Sequence, residues 1–197
     1  MYKKYLKRPL GFFLALCGMI VLGIPMVIIA ILIKADSKGP ALFKQERLGK
    51  DQRLFTVYKF RTMCVHAYEM GGIVTKSTDS RITRIGAILR RTSLDELPQF
   101  FNIIKGDMAV IGPRPILDWE FEEYRSNKEY AKRYDVLPGM FCTVDLDYRA
   151  DADRDLQFHM DAEYSENITF LGDCKVFFGI IKTVISGKNV YKEEVKK

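Results

Sequence analysis

An uncharged apolar run near the N-terminus, from Gly11 to Ile33, constrains the fold more than any other feature of this chain. Its length matches the helix needed to cross the hydrocarbon core of a bilayer. Basic residues precede the run at Lys3–Arg8 and follow it at Lys34–Arg47. Because lysine and arginine concentrate in cytoplasmic flanks, both flanks have the character of cytoplasmic segments. Pro25, slightly past the middle, removes a backbone donor and favours a break in the helix.

Three topologies are open for this run. A cleaved signal peptide would need a small-residue cleavage site, and we find none that is convincing. A single kinked spanning helix is the second topology. The basic flanks and Pro25 favour the third, a re-entrant helix broken at Pro25 that enters and leaves the membrane by the same face. We therefore divide the chain into a membrane segment (1–36), a cytoplasmic catalytic domain (37–190) and a flexible tail (191–197).

Sequence periodicity predicts an α/β (α+β) fold, with a small, mostly helical cytoplasmic domain after the membrane segment. Ala41–Arg47 is short and strand-like, and Leu54–Phe60 is aromatic and β-branched, so the two segments are typical of a short β-hairpin. Helical spacing is found in Ile82–Leu89, Phe100–Ile104, Trp119–Tyr134, Gln157–Ser165 and Cys174–Ile185. The first is edged by arginines and suits an interfacial amphipathic helix, with an ordinary core-facing helix as the alternative. The last is either core or a second membrane-contacting helix.

Composition narrows the classes of partner. The 197 residues carry a net charge of +6, which indicates anionic partners. No long basic run or nucleic-acid-binding motif is present, so we expect no nucleic acid partner. The four cysteines are far apart and form no C-x-x-C pair, which argues against a disulfide framework or a zinc site.

Two adjacent carboxylates, Asp95 and Glu96, form the first candidate site. Ser93 and Glu96 have the S-x-x-E spacing of a capping box, which would put both acids at a helix N-terminus, where N–H groups favour anions. An aspartate can attack phosphoryl groups. Mg²⁺ is commonly held by one or two carboxylates together with substrate phosphates. The pair is thus a candidate nucleophile and Mg²⁺ site, with Mn²⁺ as the alternative ion and ordinary helix caps as the alternative role.

Cationic candidates lie on both sides of this pair. Arg114 stands between two prolines that stiffen its backbone, and a rigidly presented guanidinium suits bidentate phosphate binding. The alternative is a structural ion pair, for example with Asp107. Lys59 and Arg61 lie two residues apart on one strand face, where they either bind phosphate or are solvated.

A rival acidic constellation follows near residue 145. Asp145-x-Asp147 has the form of the D-x-D metal–nucleotide element of soluble glycosyltransferases. The segment Asp151–Asp155 begins like a calcium loop, but Leu156 and Ala162 stand where glycine and the closing glutamate belong, so calcium is not expected. A solvated acidic loop is the alternative.

The motifs, taken in order, resemble the bacterial sugar transferase family. More narrowly, they are similar to the small monotopic phosphoglycosyl transferases that begin glycan assembly on a polyprenol phosphate. The resemblance runs from about Lys3 to Ile185. It rests on Phe43–Gly49, Tyr58–Met63, Ser93–Gln99, Lys105–Met108, Gly112–Pro115, Pro138-Gly139, Asp161-x-x-Tyr164-x-x-Asn167 and Asp173.

The resemblance implies transfer of a sugar 1-phosphate from a UDP-sugar to undecaprenyl phosphate with release of UMP. This would be the first membrane step of bacterial glycoconjugate assembly, at the cytoplasmic face of the inner membrane. Asp95 would attack the β-phosphate, and Glu96 with Asp95 would support Mg²⁺. Substrate-binding positions would be Lys59, Arg90, Asp107, Arg114, Asp161 and Asp173. Inner-membrane lipid and downstream glycosyltransferases would be further partners; the sugar, the glycan and the oligomeric state are not indicated.

The chain also departs from this family. Many relatives have P-G-I-T-G-x-x-Q-V-N-G-R where this chain has Pro138–Arg149, and only the initial Pro-Gly and the final arginine agree. Arg149 stays the candidate for the uridine-diphosphate end. Two alternative functions remain open: a membrane-anchored D-x-D glycosyltransferase that uses Asp145 and Asp147 and releases UDP, and a non-catalytic membrane adaptor.

Overall fold

The computed structural model describes residues 1–71, 79–148 and 153–186. The predicted combination of an apolar N-terminal helix, a short hairpin and a mostly helical remainder is confirmed. Arg149 and the proposed tail, 191–197, lie outside the described residues, so the predictions for them stay predictions.

The apolar run forms the centre of one long helix, α1 (Lys7–Asp36), which follows a π-helical turn over Tyr2–Leu6. Of the part of the chain that the structure describes, this is the one helix long and apolar enough to cross a membrane, and only 11% of its apolar window is buried. The predicted division into two helical segments is not seen, since α1 continues through Pro25. A proline removes one backbone donor, and a membrane helix can accommodate that loss without ending. The re-entrant topology stays a prediction.

The hairpin pairs β1 (Leu42–Leu48) with β2 (Leu54–Phe60) in antiparallel register, with Leu42 opposite Phe60. Helix α4 (Gln99–Lys105) holds this hairpin through Asn102, which is fully buried. Its side-chain oxygen accepts the Tyr58 backbone N–H at 3.1 Å, and its amide nitrogen donates to the Thr56 carbonyl at 2.6 Å. Because the Asn102 side chain bonds both the Tyr58 N–H and the Thr56 carbonyl, β2 is fixed against α4.

The remaining helices are short, apart from the last two. They are α2 (Ala67–Gly71), α3 (Arg84–Thr92), α4 (Gln99–Lys105), α5 (Lys128–Ala131), α6 (Val144–Asp147), α7 (Arg154–Glu166) and α8 (Phe170–Ser186). Thr83 caps α3 by accepting the Gly86 N–H at 3.0 Å, and α4 ends at Gly106, whose φ is 104°. Helix α8 buries Val176 and leaves Phe178 exposed. Its membrane contact stays a prediction.

The prediction of a continuous helix over Trp119–Tyr134 is wrong. The segment consists of a 3₁₀ turn (Asp118–Tyr124), α5, and a second 3₁₀ turn (Lys132–Asp135). Its aromatic side chains converge on Phe158 of α7, with ring centroids 4.8 Å apart for Tyr124 and 5.5 Å apart for Phe121. The spaced aromatic residues that suggested one face of a helix thus come from separate short turns, which pack together around the Phe158 ring.

A second, parallel strand pair was not predicted. It joins β3 (Ala109–Ile111) to β4 (Gly139–Phe141), with Ala109 opposite Gly139. The backbones approach so closely that a Cβ on Gly139 would lie 2.1 Å from the Gly112 nitrogen. Gly112-Pro113 and Pro138-Gly139 therefore meet at one crossing, from which the Arg114 loop leaves.

Both ends of α1 are bound to the same domain. At the N-terminal end, Asp173 of α8 accepts the Tyr2 hydroxyl at 2.6 Å and pairs with Lys7. At the C-terminal end, the buried Arg61 guanidinium donates to the Ser37 carbonyl at 2.7 Å and the Lys38 carbonyl at 2.6 Å. Arg61 therefore caps the C-terminal end of α1, a role that differs from both of those left open for it by the sequence.

Candidate active site

The acid pair lies in a 3₁₀ turn, Leu94–Glu96, between α3 and α4. The predicted capping box is wrong. Ser93 has a left-handed backbone with φ 56°, makes no side-chain cap, and ends α3 by donating its N–H to the carbonyls of the last turn. The S-x-x-E spacing therefore marks the end of one helix instead of the start of another.

The turn that carries the acids packs directly on α1. Leu97 is buried with Met26 and Ile33 of α1, and Leu94 lies at the edge of the same apolar cluster. Asp95 and Glu96 are thus held beside the apolar helix by their own neighbours in sequence. A charged site at the edge of an apolar helix is the arrangement that a reaction between a soluble and a lipid substrate requires.

Glu96 opens into a cleft and pairs with Lys59. The Lys59 Nζ lies 2.7 Å from Glu96 Oε1, with 31% and 22% of the two side chains exposed. The hairpin, Arg114 and the β4 segment form the other walls of this cleft. Its lining is Phe43, Gln45, Arg47, Val57, Lys59, Glu96, Gln99, Arg114, Pro115, Gly139, Met140 and Cys142.

Asp95 is partly buried beside this pair. Burial raises the pKa of Asp95 to about 6, the positive charges of Lys59 and Arg90 act in the opposite direction, and the Glu96 charge adds to the increase. Arg90 is itself held by its Nε, which donates to Thr62 Oγ1 at 2.9 Å. A carboxylate with this pKa is mostly ionised at neutral pH and is more basic than an exposed aspartate, as a phosphoryl nucleophile should be.

Arg114 is fixed through its backbone by a buried ion pair. Asp161 accepts the Arg114 N–H at 3.3 Å, and Arg133 donates to the Arg114 carbonyl. Arg133 and Asp161 are joined at 2.7 Å, with 1% and 0% of their side chains exposed. Removing either partner would leave an uncompensated charge in the interior. Asp161 therefore positions Arg114 and does not line the cleft.

The Arg114 guanidinium pairs with Asp145 and not with Asp107, so the ion-pair partner suggested by the sequence is wrong. Its Nη1 lies 2.8 Å and 3.0 Å from the two Asp145 oxygens. The Asp145 charge raises the pKa of Arg114, which stays charged at every relevant pH. Because Asp145 is engaged in this pair, it is poorly placed to serve as a D-x-D metal ligand. Asp107 instead lies 2.9 Å from Lys105 Nζ.

Three of the predicted site residues, Lys59, Glu96 and Arg114, line the cleft. Asp95 and Arg90 are not part of the lining but lie close enough to Glu96 and Lys59 for their charges to interact. Asp161 lies behind the Arg114 loop, while Asp107 and Asp173 contribute no lining to the cleft. Asp173 is bound to Lys7, Tyr2 and Tyr164.

Sequence reasoning missed two supporting residues, Arg133 and Asn102. Asn102 had a usable signal, because a single amide stands among apolar neighbours in Phe100–Ile104. Arg133 had none, since it stands in a charged segment that resembled a solvated helix.

No cluster of three or more metal-ligating side chains occurs among the described residues. A pair of carboxylates fits a Mg²⁺ ion that takes its other ligands from substrate phosphates and water. The adjacent carboxylates of Asp95 and Glu96 are such a pair.

A family model described as bacterial sugar transferase matches residues 2–187. The chain is 38% identical over 93% of its length to the exopolysaccharide production protein PSS of Rhizobium leguminosarum bv. phaseoli, of which the match covers 97%. It is 36% identical over 93% of its length to the UDP-N-acetylgalactosamine-undecaprenyl-phosphate N-acetylgalactosaminephosphotransferase of Aeromonas hydrophila. It is also 36% identical over 89% of its length to the UDP-glucose:undecaprenyl-phosphate glucose-1-phosphate transferase of Escherichia coli.

The relatives differ in how much of them this chain represents. The match covers 44% of the Aeromonas protein and 39% of the Escherichia protein. The similarity therefore concerns one part of those longer proteins and nearly all of the Rhizobium protein.

Proposed function

The chain belongs to the bacterial sugar transferase family, and from this premise we propose that it transfers a sugar 1-phosphate from a UDP-sugar to undecaprenyl phosphate. One observation carries the proposal. The turn with Asp95 and Glu96 is packed on the apolar helix α1 through Leu94 and Leu97, and Glu96 of this turn lines a cleft together with Lys59 and Arg114. The nucleotide sugar can enter the cleft from water while the lipid phosphate arrives along α1.

In the first step, a carboxylate oxygen of Asp95 attacks the β-phosphorus of the UDP-sugar. The bond between that phosphorus and the oxygen bridging to the α-phosphate breaks, and UMP leaves with the bridging oxygen. The enzyme then carries the sugar phosphate as an acyl phosphate on Asp95. No proton has to move, because the nucleophile is ionised and UMP leaves as an anion.

In the second step, a phosphate oxygen of undecaprenyl phosphate attacks the same phosphorus. The acyl phosphate bond breaks, the Asp95 carboxylate is restored, and the product is an undecaprenyl diphosphate sugar. Two in-line displacements at one phosphorus allow both substrates to use a single cleft.

Surrounding charges lower the cost of bringing anions together. Lys59, 2.7 Å from Glu96, and Arg114 at the opposite wall place cations beside the transferred phosphoryl group. Such preorganised charges stabilise the transition state because they need no reorientation during the reaction. Arg90 favours the ionised form of Asp95.

We further propose that Asp95 and Glu96 hold Mg²⁺ together with substrate phosphates. When bound, the ion would neutralise phosphate charge next to the carboxylate nucleophile.

The proposed location is the cytoplasmic face of the bacterial inner membrane, with α1 entering and leaving the bilayer on that face. The contacts at both ends of α1 support this topology, because a helix that crossed the bilayer would carry one end away from the domain. Lys7 and Arg8 at one end and Arg61 at the other are all bound within the same domain.

The test is an assay of nucleotide release. Purified protein with Mg²⁺ and undecaprenyl phosphate is incubated with a panel of UDP-sugars, and we expect one or more of them to yield UMP. Asp95→Asn should reduce UMP release by at least about a thousandfold, because the covalent step loses its nucleophile.

A matched control is Glu123→Gln, which neutralises an exposed carboxylate outside the cleft and should keep most of the activity. Release of UDP would favour the D-x-D alternative, and absence of any nucleotide product would favour the adaptor. UMP release by Asp95→Asn at the wild-type rate would refute the assigned nucleophile.

A further inference from the structure

One face of the hairpin forms the floor of the cleft. Residues that alternate along β1, namely Phe43, Gln45 and Arg47, share this face with Val57 and Lys59 of β2. Arg47 and Lys59 therefore stand at opposite ends of the same floor. Lys59 already has an assigned partner in Glu96, whereas the proposed mechanism gives Arg47 no role.

Arg47 is a largely buried cation that lacks a close carboxylate of its own. Its nearest acidic atom, Glu120 Oε2, is 3.5 Å away, and only 22% of the Arg47 side chain is exposed. Glu120 is in contact with Arg154 and also accepts the Leu117 N–H at 2.8 Å. The best contacts of Arg47 are to a neutral group, the Gln45 side-chain oxygen, at 2.6 Å and 3.2 Å.

The electrostatics agree with this geometry. The pKa of Arg47 is lowered to about 10, chiefly by burial; the charges of Glu120 and Glu96 act in the opposite direction, and those of Arg114 and Arg154 add to the lowering. Arg47 remains charged at neutral pH and is stabilised less than an exposed arginine would be. A phosphate placed between Arg47 and Arg114 would relieve this repulsion and gain charge-assisted hydrogen bonds.

The position of Arg47 indicates which phosphate. The strand end at Leu48 packs on Ile116, Phe121 and Phe158, a cluster that contains no residue of α1. The opposite strand end, at Phe60, belongs to the cluster that packs on α1. Arg47, next to Leu48, is therefore at the strand end opposite to the one that packs on Met26 and Ile33 of α1, where a water-soluble substrate is expected and a lipid phosphate is not.

We propose that Arg47, oriented by Gln45, binds the α-phosphate of the nucleotide donor, the group that leaves as UMP. This inference rests on the proposed function for the identity of the nucleotide. Lys59 would then bind the transferred phosphate, and Arg47 would bind the phosphate that leaves with UMP. Arg114 would lie between these two cations.

The test measures binding of UMP to the full-length protein by titration calorimetry, independently of turnover. Arg47→Gln should weaken UMP binding by about tenfold or more, since a charged hydrogen bond to phosphate is lost. Arg47→Lys keeps the charge without the forked donor and should lie between Arg47→Gln and wild type. The nucleoside uridine, which has no phosphate, should bind all three proteins equally.

Arg154→Gln is the matched control. This substitution removes another arginine that contacts Glu120, and it changes no residue that lines the cleft. If Arg47 served only to neutralise Glu120, Arg154→Gln would weaken UMP binding as much as Arg47→Gln does. We expect UMP affinity within twofold of wild type, with melting temperatures recorded for every variant to confirm folding.

Steady-state kinetics show whether Arg47 binds a phosphate of the nucleotide donor or the phosphate of the lipid acceptor. With Arg47→Lys, the KM for the UDP-sugar should rise while the KM for undecaprenyl phosphate stays unchanged. The inference is overturned if folded Arg47→Gln and Arg47→Lys bind UMP like wild type, if wild type does not bind UMP, or if only the KM for the lipid rises. Binding of UMP that depends on Arg47 in a protein without turnover would refute the proposed reaction and leave this inference standing.

Discussion

At the scale of single residues, burial of the Asp95 carboxylate costs stability and, on the proposed mechanism, makes this group a more basic nucleophile. Its pKa is raised to about 6 from a reference value of 3.8, mainly by burial. A raised pKa in the folded state means that the protonated form is preferred there. The folded state is thus favoured below pH 3.8, and that contribution is lost as the pH rises through about 6.

We therefore expect Asp95→Asn to stabilise the protein at pH 8, by up to about 3 kcal/mol, because the amide carries no buried charge. The gain should shrink towards zero near pH 4, where Asp95 is largely protonated. Thermal unfolding in detergent at the two pH values measures this difference.

The control for this prediction is Glu123→Gln, which neutralises an exposed carboxylate. It should not change the melting temperature at pH 8 or near pH 4 by a comparable amount. A lower melting temperature for Asp95→Asn at pH 8 would contradict the prediction. It would mean that attraction to Lys59 and Arg90 outweighs the cost of burial.

At the scale of elements, sequence patterns succeeded where the cause of the structure is local. The hairpin follows from a short strand-like segment and an aromatic, β-branched segment on the two sides of a turn, and α4 ends at Gly106 because glycine tolerates its φ of 104°. The β3–β4 pair was missed because three-residue strands carry almost no periodicity. They exist through the close approach of Gly112 and Gly139, which are distant in the sequence.

The residues of the candidate site likewise differ in whether the sequence alone could identify them. Asp95, Glu96, Lys59 and Arg114 could be selected from sequence because each stands in a distinctive motif. Arg133 could not be selected, because its importance comes from a partner on α7 and a backbone carbonyl on the Arg114 loop. Such long-range polar contacts leave no periodic trace in the sequence.

The C-terminal end of α1 offers a test of one element contact. Arg61→Ala removes hydrogen bonds to the Ile33, Ser37 and Lys38 carbonyls. We expect it to destabilise the protein by about 3 kcal/mol or more, since buried acceptors would be left without donors. Arg61→Lys should recover only part of this loss, because an ammonium lacks the forked geometry.

Chemical unfolding in detergent measures the effect, with Arg53→Ala as the control for loss of an exposed arginine. Equal stability of Arg61→Ala and wild type would show that water replaces the guanidinium at the helix end.

At the scale of the whole molecule, α1 and the domain form one body. The helix has 30 residues and is therefore about 45 Å long, more than the roughly 30 Å of bilayer hydrocarbon. Length alone would permit a crossing. The contacts at both ends, to Asp173 and to Arg61, favour a helix that stays with the domain on one side of the membrane.

Cysteine labelling tests this topology. In a background without native cysteines, Lys4→Cys and Lys38→Cys place thiols at exposed positions on the two flanks. We expect an impermeant maleimide to label both in inverted membrane vesicles and neither in right-side-out vesicles. Labelling of the two positions from opposite sides would establish a spanning helix.

The packing of Leu94 and Leu97 on α1 also bears on how such a protein can be handled in the laboratory. Deleting the first helix to obtain a water-soluble catalytic fragment would leave Phe60, Leu89 and Leu97 facing an empty groove. The fragment would lose the apolar surface of α1 that orients the turn with Asp95 and Glu96. It would also expose an apolar patch to water. We therefore expect the protein to keep its folded acidic turn in detergent or lipid with α1 in place, and to lose it when α1 is deleted.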